Sequence, residues 1–148
     1  MEYGHSVSGF QPLHVLQGCK SIDQGHPTFV DIGGSKGHVS IVLAKEHANI
    51  NFIVQDSAKT VAIGRQEVPD EVKDRISFTV HDFWTEQPVK GAEVYLFRQI
   101  FHDWSDKYAV KILRNLIPAL KTGARIIISD MCMPPKGTIS VYKERWLR

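Results

Sequence analysis

Residues 28–37, TFVDIGGSKG, decide how the chain folds. Thr28, Phe29 and Val30 favour a strand, and Asp31 closes the run. Gly33, Gly34 and Gly37 then make a loop in which the backbone turns sharply and a ligand can come close. A helical stretch over residues 39–47 follows, with Val39, Val42 and Leu43 as its apolar positions. Strand, glycine loop and helix open a βα unit. Working outward from it, similar runs recur at 51–56 (NFIVQD), 75–82 (RISFTVHD), 92–97 (AEVYLF, continuing through 98–103) and 124–130 (ARIIISD). They are β-branched, aromatic and apolar nearly throughout, which is how parallel strands read when helices cover both faces of a sheet. Residues 57–67 and 105–120 read as further helices. In the second, Ala109, Ile112, Leu113, Leu116 and Leu120 fall at helical spacing, Ser105 stands at the N-cap, and Pro118 and Gly123 end it. A short leading helix is expected over residues 14–20. The expected architecture is α/β, a Rossmann-like, doubly wound and mostly parallel sheet.

Composition narrows the partners. The chain has 148 residues, 43% of them hydrophobic and 23% charged, enough apolar surface for one core-forming domain. A formal charge of +2 calls for neither nucleic acid nor an acidic membrane surface. No apolar run approaches the roughly 20 residues that span a bilayer, and the polar start, residues 1–10, does not read as a signal peptide. Cys19 and Cys132 are far apart and form no CxxC pattern. A disulfide framework and a cysteine zinc site are therefore not expected, and a reducing, cytoplasmic setting is.

Each strand run ends in or near an acid: Asp31, Asp56, Asp82, Asp103 and Asp130. In open α/β sheets ligands bind outside the carboxyl ends of the strands, so these carboxylates would face hydroxyl and amino donors. Aspartate is also common wherever a strand turns into a loop. The glycine loop is neither GxxxxGK[ST] nor a strict GxGxxG, because Ser35 takes the place of the second motif glycine. Asp31, two residues before Gly33, would repel a pyrophosphate but attract an ammonium or sulfonium. Asp56 ends the second strand at the spacing of a carboxylate that takes a ribose diol, whose two O–H donors match its two acceptor oxygens. These features suit any adenosine-containing cofactor, NAD or S-adenosylmethionine.

At residues 101–106, FHDWSD, the pattern becomes specific. With the DIGGSKG loop it closely resembles the S-adenosylmethionine-dependent O-methyltransferases of the caffeic acid O-methyltransferase class, and most nearly the fungal members that act on phenolic polyketides. The resemblance runs over residues 9–148 and implies the class I methyltransferase core. It implies that Gly33 and Gly34 pack against the methionine part of the cofactor and that Asp56 holds the ribose. Asp82 and Phe83 would hold the adenine, and Arg98, a lysine in plant members, would contact the cofactor. His102 is the implied catalytic base and Asp130, a glutamate in plant members, the acid flanking it. The implied cofactor is S-adenosyl-L-methionine, giving S-adenosyl-L-homocysteine, with a small phenolic acceptor. No metal, nucleic acid or membrane is called for.

The chemistry agrees. The methyl donor is already activated, so the protein's task is mainly to orient the two partners. A phenol has a pKa near about 10, and a neutral imidazole can take its proton as the oxygen attacks. The other histidines (His5, His14, His26, His38, His47 and His81) are read as structural or solvated, and Lys36 as a solvated loop charge. Trp104 is expected to pack against the start of the long helix. Met131 and Met133 either line an acceptor pocket or pack a loop.

The family also carries an N-terminal dimerisation domain and further C-terminal helix and strands, for which this sequence has no counterpart. Residues 1–27 are expected to form a leading segment and 28–148 an incomplete core with five of the usual seven strands. The stretch 142–148 resembles the start of a pocket-lining helix. Besides an active methyltransferase, three readings stay open. One is a cofactor-binding module without turnover. Another is an NAD-dependent oxidoreductase, which Asp31 and the missing glycine disfavour. The third is a relative turned to pericyclic chemistry, which the intact His102 disfavours.

Overall fold

Continuous apolar runs separated by helical segments can bury both sheet faces only by winding alternately above and below one parallel sheet. The computed structural model has this form. It describes residues 25–131 together with Pro12, Val15 and Ile22. The order is β1 (Thr28–Ile32), α1 (His38–Glu46), β2 (Asn51–Asp56), α2 (Ala58–Glu67), β3 (Ile76–Val80), β4 (Val94–Arg98), α3 (Asp106–Leu116) and β5 (Arg125–Ser129). The five strands lie in the order β3-β2-β1-β4-β5, and every neighbouring pair is parallel. Chain direction across the sheet reverses between β1 and β4, so the loops after these two strands part and open a crevice.

Strand alternation assigns the two faces. Phe29, Phe52, Val54, Phe78 and Leu96 pack with Val39 and Leu43 of α1 and Val61 of α2. Val30, Ile32, Tyr95 and Phe97 pack on the opposite face with Ile112 and Leu116 of α3. The buried Tyr95 hydroxyl donates to the Val89 carbonyl at 2.8 Å, tying the loop before β4 into this second layer.

The expected strands are all present, but several element boundaries differ. The run 75–82 is strand only over Ile76–Val80. Of the continuation 98–103 only Arg98 is strand. Gln99 takes a left-handed φ of 55° and a 3₁₀ turn, Phe101–Asp103, follows. The helix expected over 105–120 is α3 to Leu116, then a 3₁₀ turn over Ile117–Ala119 that holds Pro118. Ser105 does occupy the N-cap of α3, but its side chain makes no capping bond. The leading helix expected over 14–20, Cys19, Cys132, Met133 and residues 142–148 lie outside the described residues, Val15 aside. Among the described residues no helix is long and apolar enough to cross a membrane.

Candidate active site

The glycine loop is shaped by what lies beneath it. Gly33 has φ +67°, and a Cβ there would lie 2.7 Å from Ile100 Cδ1. Gly34 has no such φ, but its Cβ would fall 2.5 Å from Cγ of Asp31. The loop is thus pressed onto a buried carboxylate. Asp31 is only 2% exposed and accepts a hydrogen bond from the Ser40 hydroxyl at 2.8 Å. It does not face the crevice, so the reading that its charge meets a ligand ammonium or sulfonium is corrected: helix α1 claims it. Burial pushes its pKa up to about 6, opposed by the Ser40 hydrogen bond and the charge of Arg98. A strand acid that points inward reads like one that points at a ligand, because both stand at the same sequence position.

Beside the loop lies a cleft of about 370 Å³, lined by Gly33, Asp56, Ser57, Val80, His81, Asp82 and Phe83. Four of the residues singled out in the sequence, Gly33, Asp56, Asp82 and Phe83, therefore line one cleft. Asp56 ends β2, and its two oxygens accept the backbone N–H of Ser35 at 2.9 Å and of Ser57 at 2.7 Å. The first of these bonds locks the glycine loop to the end of β2. Each carboxylate oxygen keeps a further lone pair for a donor in the cleft. Asp82 accepts the Trp84 N–H at 3.0 Å, which holds the turn carrying Phe83. Val80 is 60% exposed, an apolar surface left open beside Phe83. Two carboxylates, an apolar floor and this volume fit a nucleoside-sized ligand.

Ser57 and Val80 were not singled out in the sequence, and His81, read there as structural or solvated, lines the cleft. Ser57 stands at the N-cap of α2, and that capping position was its only sequence signal. The imidazole of His81 is partly buried, and burial pushes its pKa down against the pull of Asp82. Arg98 and Gly34 do not line the cleft. Arg98 ends β4, half-buried, where its charge acts on Asp31.

The second part of the site sits at the carboxyl ends of β4 and β5. His102 Nδ1 lies 2.8 Å from Oδ1 of Asp130. Asp130 Oδ2 accepts the backbone N–H of Phe101 at 2.8 Å and of His102 at 3.3 Å, and Oδ1 that of Met131 at 2.9 Å. The shorter aspartate therefore does reach the imidazole, because the 3₁₀ turn folds back over the end of β5. Burial would raise the pKa of Asp130, but the hydrogen bonds from His102 and these three amides outweigh it and hold the carboxyl below its usual value. An ionised carboxylate only accepts, which assigns the proton to Nδ1 and leaves Nε2 as the basic nitrogen. Nε2 lies 3.3 Å from Oδ1 of Asp103, a side chain 69% exposed and free to turn into solvent. Among the described residues no group of His, Cys, Asp and Glu is placed to hold a metal ion.

Trp104 packs edge-on to Trp84 at 4.7 Å between centroids and lies 6.1 Å from Tyr108 of α3. It therefore joins the start of the helix, as expected, and also the loop that carries Phe83. Lys36 is not simply solvated. It pairs with Glu67 at 3.1 Å.

Residues 6–145 match the family model of the O-methyltransferase domain. The chain is 49% identical over 145 residues to the grayanic acid biosynthesis cluster O-methyltransferase of Cladonia grayi, covering 97% of this chain and 32% of that one. It is also 49% identical over 147 residues to chlorophenol O-methyltransferase of Trichoderma longibrachiatum, covering 98% and 31%. Among solved structures, LepI in complex with SAM superposes with a TM-score of 0.71 at 33% identity, over 91% of this chain and 35% of that one. The chain thus spans about a third of the length of the relatives it matches. Sheet order, glycine loop and near-complete coverage by the family model agree: the chain belongs to the O-methyltransferase domain family.

Proposed function

We propose that the chain binds S-adenosylmethionine in the cleft beside the glycine loop and methylates a phenolic hydroxyl of a small aromatic molecule, with His102 as general base. The observation that carries this reading is the 2.8 Å contact of His102 Nδ1 with Asp130, on a loop whose Ile100 abuts Gly33. Bound S-adenosylmethionine would supply a methyl carbon already activated by a sulfonium. Asp56 would accept from the ribose hydroxyls, and Val80, Asp82 and Phe83 would receive the base. His102 Nε2 takes the proton of the acceptor hydroxyl, and Asp130 holds the ring in the tautomer that can do so and favours the imidazolium that results. Asp103 turns aside to admit the acceptor. The phenolic acceptor is supported by the chlorophenol O-methyltransferase relative.

The test is transfer of labelled methyl from S-adenosylmethionine to a panel of phenols, chlorophenols included. Incorporation is expected, and His102→Ala should reduce it by about 10²-fold or more while leaving S-adenosylhomocysteine affinity unchanged. No incorporation into any phenol by a chain that binds S-adenosylhomocysteine would instead support a binding module without turnover.

A further inference from the structure

Two glutamines in the apolar layer under α3 are buried as deeply as any core residue. Gln55 of β2 is 0% exposed and Gln87, beyond the turn that carries Phe83, is 2% exposed. They form a closed pair. Gln55 Nε2 donates to Gln87 Oε1 at 2.8 Å, and Gln87 Nε2 donates to Gln55 Oε1 at 2.8 Å. The Val89 N–H also donates to Gln87 Oε1 at 3.0 Å, which fixes which way that amide faces. The backbone N–H of Gln87 donates to the Asn115 carbonyl of α3 at 3.0 Å, and the Asn115 side chain donates to the Phe83 carbonyl at 3.2 Å.

Burying two amides among apolar side chains is costly unless both are satisfied, and an apolar pair would fill the space without that requirement. A closed amide pair does what an apolar contact does not: it is directional and admits one register. The segments it joins are the two walls of the cleft. Gln55 precedes Asp56, while Gln87 lies midway along the 81–93 loop that begins at His81 and carries Asp82 and Phe83. The near end of that loop is already tied, because the His81 N–H donates to the Asp56 carbonyl at 3.1 Å. The amide pair ties the stretch just beyond the Asp82–Phe83 turn.

We propose that Gln55 and Gln87 are positioning residues for the cofactor: their pair sets the gap between Asp56 and the Asp82–Phe83 turn to the width of an adenosine. This rests on reading the cleft as the nucleoside site. Neither glutamine touches the ligand.

The full chain is compared as wild type, Asp56→Ala, Gln55→Leu, Gln87→Leu and the double leucine variant, by thermal unfolding and by calorimetric titration with S-adenosylhomocysteine and with adenosine. Each single variant leaves one buried amide unpaired and should lose stability. The double variant removes both amides and should recover most of it. Positioning predicts that the recovered double variant still binds both ligands about tenfold or more weakly. Wild-type affinity in the double variant, with binding lost in Asp56→Ala, overturns the proposal and leaves the cofactor reading intact. No binding by the folded wild type overturns both.

Gln55→Glu keeps the side-chain shape should the leucine variants fail to fold. A buried glutamic acid, its pKa raised by desolvation, donates from its O–H while neutral and loses that donor once ionised. Its affinity relative to wild type at the same pH should be nearly intact at about pH 5.5 and about tenfold weaker at about pH 9. A ratio that is flat with pH overturns the proposal.

Discussion

The two ends of the crevice are built differently. On the β1–β3 side the groups that face the cleft rest on buried, hydrogen-bonded supports: Asp31 beneath Gly34, two amides on Asp56, and the glutamine pair behind the cleft. On the β4–β5 side a single side chain, Asp130, gathers the imidazole and three backbone amides, and the surroundings are open. There Tyr108 is 46% exposed, Ile126 42% and Ile128 51%. The first side is a rigid seat with redundant ties. The second is the proposed catalytic pair, hung on one carboxylate. Damage should therefore be graded on the first side and abrupt on the second.

The largest expected effect is on the second side. Asp130→Asn exchanges one carboxylate oxygen for an NH₂ donor, so the side chain can no longer accept from both the His102 imidazole and the amides on its two oxygens. It should lower kcat by at least about 10²-fold, by the logic of an orienting carboxylate, while S-adenosylhomocysteine affinity stays within about twofold. Equal losses in kcat and affinity would show that the two sides are not separable.

The carboxylates of the two sides should also respond oppositely to pH. Burial raises the pKa of Asp31 from its ordinary 3.8 to about 6, so between these values the folded chain holds a proton that the unfolded chain has released. Its contribution to stability is full below the unfolded value and is lost as pH rises through about 6, on the order of 3 kcal/mol at 1.36 kcal/mol per unit. Asp130 is lowered, so its contribution is present above its ordinary value and is lost as pH falls through its folded value. Denaturant unfolding from pH 4 to pH 7 should show the fall due to Asp31, and Asp31→Asn should flatten it. An unchanged slope in that variant would remove Asp31 as its source.

Gly34→Ala should cost about 2 kcal/mol, because the new methyl meets the buried Asp31 carboxyl group and nothing there can yield cheaply. Thermal unfolding reads it directly. The smallest effects compare the two helix starts. Ser57 caps α2 by accepting from the Thr60 N–H, whereas Ser105 makes no capping bond at α3. Ser57→Ala should cost about 0.5–1 kcal/mol and Ser105→Ala less than that.

Which of these features could be read without coordinates follows from their physics. The parallel sheet was legible because strands buried on both faces carry unbroken apolar runs, as at 94–97. Gly33 and Asp56 were legible from their places after strands, and Asp82, Phe83, His102 and Asp130 from the family resemblance carried by the DIGGSKG and FHDWSD patterns. Asp31 was misread because its side chain turns inward toward Ser40, which strand position alone does not reveal. The end of β4 was overrun because Gln99 takes a left-handed turn with no glycine to announce it. Gln55 and Gln87 escaped notice because a pair 32 residues apart is joined only by the folded sheet. Val80 escaped because a strand-end valine ordinarily reads as core.

The central claim is that the cleft seats the adenosine of the methyl donor, with Asp56 on its ribose. Calorimetric titration of the full chain with S-adenosylhomocysteine, beside Asp56→Ala, tests it most directly. The account predicts one-to-one binding that weakens at least about tenfold in the variant, the loss of a charge-assisted hydrogen-bonded pair. Equal affinity in the two chains, or no binding by a wild type shown to be folded, would contradict it.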